Sequence, residues 1–212
     1  MTNSTNQVKR GYTSIMLVQA INRVEAASGW AKQKNFAGEV SECIVAQLLM
    51  GISLESAINE VCDTLLPKSA WAGLEKADVQ TKWYIASGIN GKTPFDFGAE
   101  PIQTVSEMSK KRNALAHPKG FKFENQIVLQ DSDGTVHRNV PPDSLVKPGQ
   151  SLITGALALH EKEEFNLAKT TTLLERTIAA IIKLTEHLET NELGYIHSIR
   201  VNFERMKSLE GL

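Results

Sequence analysis

The sequence has 212 residues and lacks most of the features that announce a conventional catalytic or binding class. It has two cysteines, Cys43 and Cys62, both in apolar stretches with a helical pattern. They offer neither a disulfide framework nor the paired spacing of a zinc site, and no signal-peptide pattern precedes them, so a reducing, cytoplasmic setting is expected. No apolar run approaches the length needed to cross a bilayer, and no membrane span is expected. The formal net charge is only -1, which argues against a whole-surface electrostatic grip on nucleic acid and leaves room for a local patch alone. No serine stands in a nucleophile elbow, and neither cysteine has a recognisable histidine partner. The run "HEKEE" from His160 lacks the second histidine that a helix-borne zinc protease places four residues on.

What remains is a composition of 42% hydrophobic and 22% charged residues, the balance of an ordinary globular chain. The length suits one domain, residues 1–212, able to bury a core without metals or staples. After a polar opening, Ile15, Val18, Ile21 and Val24 recur three apart up to Gly29, which predicts a helix with a glycine stop. Residues 38–66 continue the helical period. Gly51 is expected to break that segment, with Ser53 capping its second piece, and Pro67 to end it. "WAGLEKADVQTKWYIASG" reads as a further amphipathic stretch and leads into a Gly- and Pro-rich loop. Pro101 then stands at a plausible first helical position, with Ile102, Val105, Met108 or Ser109, and Leu115 toward the core, until Pro118 and Gly120 stop the helix.

The middle of the chain changes period. Asp133-Gly134 joins two apolar runs as a hairpin signal, the glycine supplying a positive backbone angle, and "SLITGALALHEK" offers a third short strand. Helical spacing returns through Phe165, Leu174, Ile178, Ile181 and Leu188, and "YIHSIRVNFERMKSL" closes the chain. The fold class that follows is mainly α, a bundle of about five to seven helices with a small β-hairpin or sheet inserted at about 121–160. His187 and His197 fall near helix ends or on polar faces, where meeting carbonyl groups explains them.

Within the loop, "ASGINGKT" fits a relaxed phosphate-loop pattern. Such a loop must leave a buried strand and open a helix whose amides face the phosphates. Here Pro94 follows Thr93 at once, Gly98 and Pro101 leave no room for that helix, and the preceding segment reads as helix, so the match is put down to chance. "DFG" at Asp96 is set aside for want of an upstream catalytic loop.

Chemistry concentrates in "KKRNALAHPKG", Lys110 to Gly120. Lys110, Lys111, Arg112, Lys119 and Lys122 outnumber Glu107 there, with Glu124 just beyond, and make the chain locally basic. On a regular helix Asn113 and His117 share a face, whereas Arg112 and His117 are separated by about 140° around the axis and about 7.5 Å along it. Pro118 pushes His117 away from helical angles, so the imidazole can swing outward at the helix end while Arg112 reaches the same mouth. A second copy of the helix, antiparallel across a two-fold axis, would bring the two groups of different chains into one cleft. Imidazole, with a reference pKa near about 6.5, suits general acid or base work at neutral pH. Arginine stays charged and can hold two phosphate oxygens as negative charge builds, and Asn113 can orient the imidazole or the phosphate. Together they suit cleavage of RNA by its own 2′-hydroxyl, a route that demands no metal or other cofactor and to which DNA is inert. A purely structural reading also stands: Arg112 paired with Glu107 or Glu124, His117 meeting the last helical carbonyls, Asn113 in a local hydrogen bond, and solvated lysines.

"RNALAH", residues 112–117, an arginine followed at once by a polar residue and then, after three more residues, a histidine at a helix end, resembles the signature of the HEPN superfamily. The resemblance covers about residues 100–120 and, with its helical setting, implies an HEPN-like bundle and a homodimer with the motif at the shared cleft. It also implies metal-independent ribonuclease activity in toxin, phage-defence or RNA-processing roles, with an antitoxin protein as a partner in the toxin case. Carried over residue by residue, the motif falls on Arg112, Asn113 and His117 as catalytic residues, with Lys110, Lys111 and Lys119 placed to follow an RNA backbone. The alternative is a non-catalytic module binding a nucleotide, RNA or protein in the same cleft.

Overall fold

The structure is a computed structural model, and it describes residues 11–117, 127–141, 146–153, 159–160, 164–190 and 193–212. The described residues form seven α-helices and three strands in the order α1 (Tyr12–Lys32), α2 (Phe36–Leu65), α3 (Lys68–Leu74), α4 (Val79–Ser87), α5 (Ile102–Ala116), β1 (Ile127–Asp131), β2 (Val136–Val140), β3 (Gln150–Leu152), α6 (Leu167–Leu188) and α7 (Ile196–Glu210). The protein is therefore mainly helical with a small inserted sheet.

α2 is the axis of the bundle, and α1, α4, α5 and α6 all pack on it. By length and apolar content its 30 residues are enough to cross a membrane, contrary to the sequence expectation that no run comes near that length. Its apolar side is instead core: Met50, Leu54, Ile58 and Val61 meet Leu17 and Val24 of α1, Ile102, Val105 and Met108 of α5, and Leu173, Leu174 and Ile178 of α6. Each such side chain removed from water contributes about 1.5–3 kcal/mol before entropy is counted. Trp83 of α4 is fully buried, and its indole N–H donates to the Leu54 carbonyl at 3.2 Å, so its one polar group is satisfied inside the core.

Several helix boundaries differ from the sequence reading. α1 runs through Gly29 to Lys32. The turn is made instead by Lys34, at φ 55°, and by Asn35, whose side chain accepts the Gly38 N–H at 2.9 Å as the α2 cap. Ile15 and Val18 are exposed while Ile21 and Val24 are buried. A strict spacing of three loses about 60° per step on an α-helix, so residues on that register leave the core face within three steps. The true face alternates threes and fours through Leu17, Ala20, Val24 and Ala27. α2 is continuous across Gly51, and the Ser53 hydroxyl, expected as a cap, donates to the Met50 carbonyl at 2.7 Å inside the helix. The "WAGLEKADVQTKWYIASG" stretch divides into two helices, because Asp78 caps α4 by accepting the Thr81 N–H at 3.0 Å. α5 begins at Ile102, with Pro101 just before it.

The sheet has the order β2-β1-β3, antiparallel throughout, so both the hairpin and the third strand expected from the sequence are present. Gly134 takes φ 87° in the turn, a conformation in which only glycine is unstrained. Val128 and Ile153 bury against Phe36 and Ala37, and the Gln130 side-chain amide donates to the Lys34 carbonyl. The sheet is thereby seated on the turn between α1 and α2.

Candidate functional site

α5 presents the "RNALAH" residues, and its setting is fixed from both ends. At its N-terminal side Arg176 of α6 donates to Glu100 at 2.9 Å and to Glu107 at 2.7 Å. Burial pushes the Glu100 carboxyl up, but hydrogen bonds from Thr104 and Arg176 outweigh it and hold the group below its ordinary value. At the C-terminal side Leu115 is half-buried against the small cluster of Ala27, Val40, Cys43 and Phe165. Between these anchors Gly51 sets the distance to α2. A Cβ built there would lie 2.8 Å from Arg112 Cβ and 3.1 Å from the Met108 carbonyl oxygen, so the glycine is what lets α5 lie this close.

The arginine stem rests in that notch, and its head reaches one turn further along α2. Its Nη1 donates to Glu55 Oε2. Nε and Nη2 both donate to Asn113 Oδ1, at 3.3 and 3.1 Å. The Arg112 side chain is 28% and the Glu55 side chain 31% exposed, so the pair lies at the rim of the groove between the helices. The partner expected in a structural reading, Glu107, is spent on Arg176, and Glu124 lies outside the described residues. The Asn113 side chain, expected to orient the imidazole or the phosphate, instead accepts from the arginine.

His117 is exposed and closes α5 at φ -129°, ψ 64°, outside helical angles, as the following proline requires. Its backbone N–H still donates to the Asn113 carbonyl at 3.0 Å, so the main chain is anchored while the imidazole lies at the surface. Among the described residues no hydrogen bond joins His117 to Arg112 within the chain, in keeping with their separation around the helix.

The basic patch is less free than the sequence implies. Lys111 pairs with Glu164 at 3.2 Å and lies 5.6 Å from the centre of the Phe165 ring, with 16% of its side chain exposed. It is a strut between α5 and the residues that open α6. Lys110 is exposed and has no ion pair among the described residues. Lys119 and Lys122 lie outside the described residues.

Two participants escaped sequence reasoning, Glu55 and Gly51. Glu55 is 57 residues from Arg112 and belongs to no local motif, and Gly51 reads as a helix breaker until the neighbouring helix is in view. The one signal in the sequence was their i, i+4 spacing, which puts both on one face of α2.

Three other histidines are structurally occupied, while His197 is exposed on α7. His187 meets a carbonyl, that of Ser87 at 2.9 Å, and packs on Phe95 with ring centres 4.5 Å apart. His160 pairs with the buried Glu39 at 3.2 Å, and His137 with Asp131 at 2.6 Å across the hairpin. Among the described residues no three His, Cys, Asp or Glu side chains converge as a metal centre requires. The phosphate-loop match leaves a helix, makes one 3-10 turn at Ile89–Gly91, and reaches no helix before Ile102. Its Lys92 pairs with Glu189 at 2.6 Å. No protein-family model, no curated protein and no solved structure matches the chain.

Proposed function

We propose that the protein is a metal-independent endoribonuclease of HEPN type that acts as a homodimer. The observation that carries this reading is that one helix end presents both an exposed His117, released from helical geometry, and an Arg112 guanidinium bonded to Asn113. His117 acts as general base or acid toward the 2′-hydroxyl or the leaving 5′-oxygen. Arg112 stabilises the charge that builds on the non-bridging phosphate oxygens. The 2′-oxygen bonds to phosphorus as the bond to the 5′-oxygen breaks. The proton lost by the first is replaced by one delivered to the second, leaving a 2′,3′-cyclic phosphate and a free 5′-hydroxyl. Because five residues on one helix separate the two groups by about 140°, the histidine that faces a given arginine comes from a second copy related by a two-fold axis. A toxin or phage-defence role, with an antitoxin as protein partner, is the biological setting we propose.

Incubating the purified protein with RNA in excess EDTA is expected to yield products with cyclic phosphate ends, and His117→Ala to abolish them without loss of helical signal. Equal cleavage by the variant rejects the assignment. A second reading is favoured by the Arg112–Glu55 pair, which neutralises the clamp: a non-catalytic module that binds RNA, a nucleotide or a protein at this groove. RNA bound but never cut, by wild type and variant alike, selects it.

A further inference from the structure

We propose that Glu55 is a built-in competitor for the Arg112 guanidinium, so that taking hold of a phosphate at this groove requires the Arg112–Glu55 pair to open; this rests on the RNA-binding reading of the same site. The geometry begins on α2, where Gly51 and Glu55 are one turn apart on the face that meets α5. The absence of a side chain at Gly51 brings the arginine stem against α2, and the head then falls on the carboxylate one turn on.

A guanidinium has five N–H groups and no acceptor. Three of the Arg112 donors are in use: Nε and one on Nη2 go to Asn113, and one on Nη1 goes to Glu55. The Nε–Nη2 edge, one of the two edges that grip a phosphate with paired hydrogen bonds, is therefore covered by Asn113. The remaining edge runs between Nη1 and Nη2, and its Nη1 end lies beside a carboxylate. A phosphodiester carries the same single negative charge as that carboxylate, and the carboxylate has the advantage of being tethered to the same chain. With Glu55 in place, an arriving phosphate would put two anions on one cation.

Opening the pair is nonetheless feasible. Both side chains are about a third exposed, so the Glu55 head can turn into water without leaving a charge buried, unlike an interior ion pair. Lys111, the neighbour of Arg112 in sequence, is held by Glu164 and does not neutralise the arriving anion in its place, while Lys110 is exposed and open to a further contact with a longer RNA. The groove is thus closed to a lone phosphodiester and opens to an RNA that makes further contacts along the surface.

The test separates binding from chemistry. In a His117→Ala background, which removes cleavage, anisotropy of a fluorescein-labelled single-stranded RNA of mixed sequence gives the affinity for the parent and for Glu55→Gln, which keeps size and loses charge. The glutamine variant is expected to bind about fivefold more tightly. Its affinity should fall more steeply with salt, by about one further phosphate contact. Adding Arg112→Ala should erase both gains. Glu55→Ala carries the same expectation and replaces the glutamine variant if that fails to fold. Unchanged or weaker RNA binding by folded Glu55 variants, while Arg112→Ala still weakens the parent, overturns the competitor role and leaves the RNA-binding reading intact. If Arg112→Ala changes nothing in the parent, that reading fails, and the competitor role with it.

Discussion

Two helix-interior glycines make a matched pair for testing the close approach of α5 to α2. Replacing either with alanine gains about 0.5–1 kcal/mol from the backbone alone, because a helical glycine gives up more conformational freedom on folding. Gly29, inside α1, has nothing within 4 Å of the added carbon, so Gly29→Ala should show the whole gain. At Gly51 the same carbon would meet Arg112 Cβ at 2.8 Å and the Met108 carbonyl at 3.1 Å. Neither is the far end of a flexible chain, so α5 must move bodily, and overpacking of this kind costs about 1–3 kcal/mol. Gly51→Ala should therefore run from nearly neutral to about 2.5 kcal/mol destabilising. Urea unfolding followed by circular dichroism reads both variants against wild type, and the difference between them removes the shared backbone gain. If Gly51→Ala proves as stabilising as Gly29→Ala, the notch beneath Arg112 does not exist. The placement of its side chain toward Glu55 would then have no basis.

Two further outcomes follow from burial and charge. Burial pushes the Cys43 thiol up to about 12 and the Cys62 thiol up to about 11, with the Glu39 and Glu42 charges adding to the first and the Lys82 charge opposing the second. Neither should react with a thiol reagent at pH 8 until urea unfolds the chain, and prompt modification of the folded protein would contradict the packing around them. Arg176→Met removes the cation bridging Glu100 and Glu107 and should cost about 1 kcal/mol at neutral pH. Because Glu100 is held below its ordinary value, that contribution is present above the unfolded carboxyl value and disappears as pH falls through the folded one. The gap between variant and wild type should therefore close in acid, and a gap independent of pH would refute the assignment.

How much of this was legible in the sequence depended on the range of each interaction. The long amphipathic segment of α6, the Asp133-Gly134 turn and the proline stop after His117 are local, and each was readable from a few neighbouring residues. The stop of α1 was misread because Gly29 is a permissive residue whereas Lys34 and Asn35, which make the turn, carry a weaker signal. Gly51 was misread for a related reason. Propensity assigns a glycine its cost in an isolated helix, but its effect here comes from another helix lying against it. The candidate arginine, asparagine and histidine could be named from their spacing, while Glu55, the partner of Arg112, and Glu164, the partner of Lys111, could not, since contacts so distant in sequence leave no periodic trace.

That asymmetry bears on what a short motif can say. In the proposed reading, "RNALAH" supplies a cation, an orienting amide and an imidazole, and those three determine which chemistry is open to the site. In the same proposal, the freedom of the cation depends on a carboxylate on a different helix, put within reach by a missing side chain one turn away. Two chains with the same six residues would differ in phosphate affinity according to what stands at the positions equivalent to Gly51 and Glu55. A larger residue at the first lifts the arginine off α2, and a neutral one at the second removes the competing charge. The motif and the α2 face that receives it therefore act as one unit, and substitutions on α2 should tune the site without touching any residue of the motif.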